Sequence, residues 1–185
     1  MPLLIDAIRK GRCSKIQLAL QLGWNLNERD REQSRTPLIE LSFLEREAVS
    51  ARLCRRFLLA GARPDLKDAS GRNALHLACV KGREKLVEIF LNNWEEYDIN
   101  AQDYQGNTAL SLAVISNNEN IVRKLITILT RYRLSVDVPN NNGETPLILA
   151  SKSRSFFLCE ILTKIGKAST EMRDLKKQLN AKEWK

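Results

Sequence analysis

The hydrophobic pattern is clearest in residues 71–103, where short apolar runs alternate with polar turns. A first apolar run covers residues 74–78 and is followed by a break at Gly82. A second run, residues 83–92, places apolar positions at i, i+3 and i+4. This spacing predicts two short helices separated by a glycine turn. The polar segment that follows, residues 98–103, predicts a finger-like turn.

This unit recurs along the chain. Neighbouring copies are needed, because neither predicted helix is long enough to be stable alone. The equivalent residues Thr36, Asn73, Thr108 and Thr145 are 37, 35 and 37 residues apart. The pattern predicts an array over residues 1–168 and a separate segment over 169–185. The predicted repeats lie near residues 2–34, 35–71, 72–106, 107–143 and 144–168.

The residues Asn73-Ala74-Leu75-His76-Leu77-Ala78, followed by Gly82 and by Leu-Val-Glu-Ile-Phe-Leu at 86–91, resemble the ankyrin repeat. That family has the pattern T-P-L-H-x-A with a period of about 33 residues. The resemblance implies an all-α ankyrin-repeat solenoid of about five helix-turn-helix repeats with finger loops. It also implies a non-enzymatic protein that binds other proteins.

The repeats are longer than the family period, and the extra residues predict longer loops. About four extra residues precede the second helix of repeat two, which we expect over residues 50–60. Either a longer first helix or a longer inter-helix loop accommodates them. About two more residues lie near 94–97, and about four near 131–134.

The final segment, residues 169–185, carries a narrow apolar stripe among lysines. One interpretation is a capping helix on repeat five, which would otherwise expose Phe156, Phe157 or Ile161. The other is a linker or a partner-binding helix. The sequence favours the cap.

Composition narrows the class of protein further. The hydrophobic fraction is 43%, as in ordinary folded domains, and the apolar runs are shorter than the roughly 18 residues of a membrane span. The first residues lack the features of a signal peptide. We therefore expect an intracellular protein, cytoplasmic or nuclear, that is a monomer in isolation.

Cysteine and histidine positions argue against catalytic and metal chemistry. The four cysteines are widely separated, and three of them fall in apolar helical settings. His76 is the only histidine, and it occupies the family position whose imidazole bonds to backbone between repeats. We therefore expect no catalytic residue, no metal and no cofactor.

The net charge of +8 is unevenly distributed. Residues 1–72 hold 14 Lys and Arg against 9 Asp and Glu, and residues 141–185 hold 9 against 5. The middle, residues 73–140, holds 7 against 8. Basic ends favour an acidic partner. Two alternatives are binding of nucleic acid or an acidic surface through the basic ends, and a structural self-association spacer. Nucleic acid is the weaker alternative, because the cations do not alternate with aromatic residues.

In ankyrin arrays the fingers and first helices line a concave groove, and repeat proteins generally bind partners on such surfaces. The residues at these positions predict a groove that is basic at one end and apolar and aromatic at its centre. Such a groove suits a peptide with acidic residues and a hydrophobic anchor. Tyr104 and Arg72 should contribute most, because Tyr and Arg are common hot-spot residues. The alternative is that Phe43, Val80 and Ile115 simply pack between neighbouring helices. The predicted partner-binding residues are Arg35, Lys67, Arg72, Val80, Lys81, Tyr104, Gln105, Asn107, Ile115, Asn141 and Glu144.

A second surface patch is predicted where the loops after the second helices are longer. Aromatic residues and arginines are enriched at protein interfaces. Equally, Trp94 could fold back over the second helix of its own repeat. The predicted second patch consists of Trp94, Tyr97, Arg131, Tyr132 and Arg133.

Overall fold

The computed structural model of the protein describes residues 3–171. Helices account for all the regular structure in this range, which confirms the all-α repeat fold. They form five consecutive pairs. The pairs are α1 (Leu3–Arg9) and α2 (Cys13–Gln21); α3 (Pro37–Glu40) and α4 (Glu47–Leu59); α5 (Ala74–Val80) and α6 (Glu84–Asn92); α7 (Ala109–Ile115) and α8 (Glu119–Arg131); α9 (Pro146–Lys152) and α10 (Phe156–Lys164).

The first helix of repeats two to five begins at a polar cap. Thr36 Oγ1 accepts a hydrogen bond from the N–H of Ile39 at 3.3 Å, and Pro37 takes the first helical position. Proline is tolerated there because its missing N–H would have no helical partner. The equivalent caps are Asn73, Thr108 and Thr145.

In repeats one, three, four and five the turn within the helix pair contains one residue with positive φ, and glycine is only one way to supply it. Gly82 has φ 64°, and the next N–H, of Arg83, bonds back to the carbonyl of Ala78 at 2.9 Å. Asn117 and Arg154 take the same left-handed conformation in the fourth and fifth repeats, with φ of 51° and 55°. This closing bond satisfies a carbonyl at the end of the helix.

Each finger turn is organised by a buried polar side chain. Asp68 Oδ1 accepts from the N–H groups of Ser70 at 2.8 Å and Arg72 at 2.9 Å. The carboxylate thereby folds the turn around itself, and its charge points into the protein. The equivalent residues are Asp30, Asp103 and Asn140, which are also buried.

The chain divides into two compact units, Met1–Asp98 and Ile99–Lys185. In the first unit, α1 packs on α2 and α3, α4 packs on α6, and Phe57 and Phe90 are fully buried. In the second unit, α7 packs on α8 and α9, and α10 packs on α9 and α8. Ile121 and Ile126 of α8 are fully buried there.

The extra residues of repeat two lie in its second helix. Helix α4 starts eleven residues after its cap (Thr36 to Glu47), as α6 does (Asn73 to Glu84), but α4 has 13 residues where α6 has 9. The prediction that they precede the second helix, in a longer first helix or loop, is therefore wrong.

Helix α3 has only four residues and is followed by a 3-10 turn over Leu41–Phe43. Helix α4 begins at Glu47, three residues before the predicted start. Arg83 fixes the segment between these two helices, since its Nε donates to the carbonyl of Ser42 at 3.0 Å.

The C-terminal capping helix predicted for residues 169–185 falls almost wholly outside the described residues, which end at 171. Within the described part of α10, Phe156 and Phe157 are exposed. Ile161, by contrast, is 2% exposed. It lies on the face of α10 that packs into the second unit.

Candidate functional site

A half-buried aromatic residue with two cations over its ring lies at the centre of the first unit's candidate site. The Arg35 guanidinium is 4.2 Å and the Lys81 amine 5.0 Å from the centroid of the Phe43 ring. Three different elements supply these residues: the turn before α3, the 3-10 turn after it, and the end of α5. We call this group the Phe43 cluster.

The acidic residues near the cluster are already neutralised. Arg9 donates to Glu40 at 3.1 Å and also to Asp30, and both carboxylates are buried. Burial opposes ionisation of Asp30, but hydrogen bonds from the N–H of Gln33 and from Arg9 hold its pKa below the usual range. The hydrogen bonds that Arg9 donates to Glu40 and to Asp30 in turn raise the pKa of the Arg9 guanidinium. Glu40 also lies 3.8 Å from the Arg35 guanidinium, so a buried carboxylate partly neutralises Arg35, whereas Lys81 is exposed.

The finger turns extend this positive surface. Arg31 and Lys81 are exposed, whereas Arg35, Lys67 and Arg72 are half-buried. Asp30 and Asp68, the carboxylates that organise the first two turns, are buried. Glu32 is the exposed acid on the first turn. We define the first finger face as Arg31, Arg35, Lys67, Arg72 and Lys81.

The corresponding face of the second unit is uncharged. Tyr104 is 70% exposed and Ile115 is 55% exposed. Asn141 lies against the neighbouring turn, where its Nδ2 donates to the Tyr104 carbonyl at 3.0 Å and its N–H donates to the Gln105 carbonyl at 3.0 Å. We define the second finger face as these four residues. It offers two apolar groups beside amides.

Two predicted partner-binding residues have internal roles. Asn107 is 5% exposed, and its Oδ1 accepts from Asn140 Nδ2 at 3.2 Å, so it does not belong to the surface set. Glu144 is half-buried and accepts from Lys152 and, at 2.8 Å, from Asn140. Burial opposes its ionisation, but these hydrogen bonds hold the pKa of Glu144 below the usual range.

The apolar residues of the predicted groove differ in exposure. Val80 and Phe43 are half-buried, which is compatible with packing between helices as well as with binding. The strong exposure of Ile115 shows that α7 does not use this side chain in the described core. Of the three, Ile115 is therefore the residue most accessible to a partner.

The predicted second patch divides between the two units. In the first unit, Trp94 is half-buried in a 3-10 turn, and the Tyr97 hydroxyl donates to the Phe90 carbonyl at 2.9 Å. The hydroxyl of this half-buried tyrosine is therefore directed inward, and burial raises the pKa of Tyr97. In the second unit, the Arg131 guanidinium is 5.6 Å from the Tyr132 ring centroid, and the exposed Arg133 follows with φ 56°.

Sequence reasoning missed a cavity of about 460 Å³ in the first unit. It lies between the turn after α1 and the loop before α4, and Phe43, Leu44 and Val49 are among its lining residues. The spacing of the repeats gives no signal for it, because repeat two has the same number of residues between its cap and its second helix as repeat three.

In residues 3–171, His, Cys, Asp and Glu side chains do not come together in any group that could hold a metal ion. Within the same range, no helix combines the length and the apolar character needed to cross a membrane.

Comparison with known proteins relates the chain to repeat proteins. A family model described as ankyrin repeats (3 copies) matches residues 46–130 and 95–174. The chain is 30% identical over 148 residues to human ankyrin repeat domain-containing protein 63, covering 80% of this chain and 38% of that protein. It is also 30% identical over 142 residues to rat protein phosphatase 1 regulatory subunit 12A, covering 76% of this chain and 13% of that protein. The chain thus spans well under half the length of either relative.

Proposed function

The chain belongs to the ankyrin-repeat family, whose repeats are protein-interaction modules, and we propose that it is a non-enzymatic adaptor for an acidic partner. The partner is a peptide segment or domain with acidic residues. It binds the first finger face, and an apolar residue of the partner contacts the second finger face. Tyr104 and Arg72 are the expected hot spots.

One observation carries this proposal: the finger turns bury their carboxylates, while exposed cations lie on the first turn and at the end of α5. Asp30 and Asp68 are buried and accept backbone N–H groups, while Arg31 and Lys81 remain exposed. A surface that is positive by this arrangement attracts negatively charged partners and disfavours positively charged ones.

The exposed apolar residues of the second finger face support a mixed partner. Tyr104 and Ile115 present apolar surface beside the amide groups of Gln105 and Asn141. Aromatic residues of this kind, surrounded by polar groups that hydrogen-bond at the rim, are common in protein interfaces. A hydrophobic anchor in the partner would bury this surface.

Nucleic acid is the less favoured ligand, because the Phe43 ring is not open for stacking. Arg35 and Lys81 both lie over that ring, so a base would have to displace a cation to reach it. Proteins that bind single strands usually combine a basic groove with accessible aromatic faces.

The test is affinity capture from cell extract with a double variant and a matched control. Arg72→Glu/Tyr104→Ala changes one residue in each finger face. Arg52→Glu/Phe156→Ala makes matched changes, the charge reversal of an arginine and the truncation of an exposed aromatic ring, on α4 and α10. Both variants must melt at the temperature of the wild type.

We expect proteins captured by the wild type and the control to be absent from the finger-face variant. Capture of the same proteins by all three would overturn the proposal. Salt-sensitive binding of a random oligonucleotide by the wild type, lost in Arg72→Glu, would favour nucleic acid instead.

A further inference from the structure

The cavity of about 460 Å³ in the first unit is lined by an apolar group of residues and by a polar, charged group of similar extent. Ile16 and Leu53 line it from α2 and α4, and both are buried. Leu44 and Val49 also line it and are half-buried, so part of their apolar surface is open to solvent. The volume falls in the range of about 300–1,000 Å³ that is usual for ligand clefts.

Positive charge predominates among the charged residues that line the cavity. Lys10 and Arg46 are exposed, and Glu45 is the one acid among the lining residues. Arg9 also lines the cavity, but its guanidinium is held by Asp30 and Glu40 and contributes little free charge.

Lys10 also forms an ion pair, but this pair is exposed and competes only weakly with a ligand for the lysine. Its amine lies 2.7 Å from Asp6, four residues earlier on α1, and both side chains have solvent access. Exposed ion pairs of this kind are weak and are screened by salt. Lys10 can therefore turn to a carboxylate of a bound ligand.

The wall of the cavity is fixed before any ligand arrives. The Arg83 guanidinium donates to the carbonyl of Ser42 at 3.0 Å, and Glu47 accepts from the N–H of Lys85 at 2.8 Å. Ser50 Oγ donates to the carbonyl of Glu47 at 2.9 Å. A preformed wall reduces the ordering cost of binding.

We propose that this cavity is an anchor pocket for one large apolar side chain of a peptide whose neighbouring residues are acidic. The apolar side chain enters between Leu44 and Val49, and the acidic neighbours meet Lys10 and Arg46. Phe43 lines the pocket and also belongs to the Phe43 cluster, so one extended peptide can reach both sites. The proposal deepens the adaptor function and rests on it for the acidic character of the partner.

The probe is a short fluorescein-labelled peptide of Asp and Glu with one central Phe, and the matched probe carries Ser in place of Phe. Fluorescence polarisation measures the Kd of each probe for the whole chain. Because Phe would be buried and Ser would not, the Phe probe should bind the wild type about tenfold more tightly.

Two pairs of variants locate the binding. Leu44→Ser should remove most of the preference for Phe, whereas Leu59→Ser, at a leucine that is 90% exposed elsewhere on α4, should leave it unchanged. Arg46→Glu should weaken both probes several-fold, and the matched Arg55→Glu should not. Thermal melting must show that each variant is folded.

A second measurement detects occupancy directly. In a methyl-labelled sample, the Phe probe should shift the Val49 and Leu53 methyl resonances, and the Ser probe should leave them in place. Binding of the Phe probe without these shifts would overturn the pocket proposal even if every variant behaved as expected.

The outcomes separate the pocket from the finger face. Equal binding of both probes, lost in Lys81→Glu and kept in Leu44→Ser, would overturn the pocket and leave the finger face standing. No binding of the Phe probe at about 1 mM would also overturn the pocket. The capture experiment tests the finger face independently. Binding of a random oligonucleotide that depends on Arg46 would assign the basic rim to nucleic acid.

Discussion

His76 and Asn73 cap the start of α5 reciprocally. The N–H of His76 donates to Asn73 Oδ1 at 3.0 Å, and His76 Nδ1 accepts from the N–H of Asn73 at 3.2 Å. Both residues are buried. This is a capping box in which an imidazole takes the place of the usual Glu or Gln. The family resemblance implied bonding between repeats, and this contact lies within the histidine's own repeat.

The capping box gives a first prediction. His76→Ala should lower the free energy of unfolding by about 1–3 kcal/mol, because it leaves a buried N–H of Asn73 without this partner. Urea denaturation measures the change. Asn73→Ala and the double variant complete a cycle, in which we expect a coupling energy of about 0.5–3 kcal/mol. Strictly additive losses would show that the two residues do not act together.

The Asp30 carboxylate should make stability depend on pH. Its folded-state pKa lies below the usual range, so the unfolded chain binds a proton more readily. The stabilisation is therefore present above the unfolded pKa of about 3.9 and is lost as the pH falls through the folded value. Wild type and Asp30→Asn should differ most in free energy of unfolding near neutral pH.

The control for Asp30 is a carboxylate on the surface of the same finger. Glu28→Gln, at an exposed position, should give a small difference from wild type that changes little between pH 7 and pH 3. Urea titrations at a series of pH values would provide both curves. A gap between wild type and Asp30→Asn that stays constant at acid pH would contradict the assignment.

Gly106 occupies a crowded turn, and Gly61 supplies a matched control. Both have positive φ, of 79° and 88°. A Cβ on Gly106 would lie 2.5 Å from the backbone nitrogen of Asn141, whereas a Cβ on Gly61 would meet nothing within 4 Å. Each alanine substitution should cost roughly 1–2 kcal/mol for backbone strain. Gly106→Ala should cost about 1–3 kcal/mol more because the next finger must move. Equal falls in Tm for the two variants would contradict this.

The cysteines should differ widely in reactivity, since the thiolate is the reactive form. Burial raises the pKa of Cys54 to about 12 and also raises the pKa of Cys79. Cys13 is exposed and should react first with a thiol reagent. Cys13→Ser should remove the fast phase in native buffer and leave the slower reactions unchanged. A fast phase that survives this substitution would show that a second thiol is open.

The repeat pattern predicted helix positions well where the apolar spacing was regular. Helix α6 was predicted over residues 83–92 and observed at Glu84–Asn92, because its packing face is evident from the sequence. Repeat two was harder. Helix α4 starts eleven residues after Thr36, as α6 starts eleven residues after Asn73, so its start follows the repeat spacing. The prediction placed the extra residues before α4, whereas they extend its end.

The candidate site was less predictable than the helices. The inward orientation of Asp68 and the burial of Asn107 follow from turn hydrogen bonds that counts of charged and polar residues cannot reveal. The two cations over Phe43 come from different repeats, so periodicity placed them on one face but could not bring them onto one ring.

The inward-turned carboxylates of the fingers also bear on binding kinetics. Formal counting gives residues 1–72 an excess of five positive charges, but a partner approaching the finger turns meets Arg31 and Lys81 while Asp30 and Asp68 are shielded. Such a field accelerates diffusional encounter and is screened over roughly 8–10 Å at ordinary salt. Raising the ionic strength should therefore slow association far more than it hastens dissociation, whose rate depends on the short-range contacts of the bound peptide.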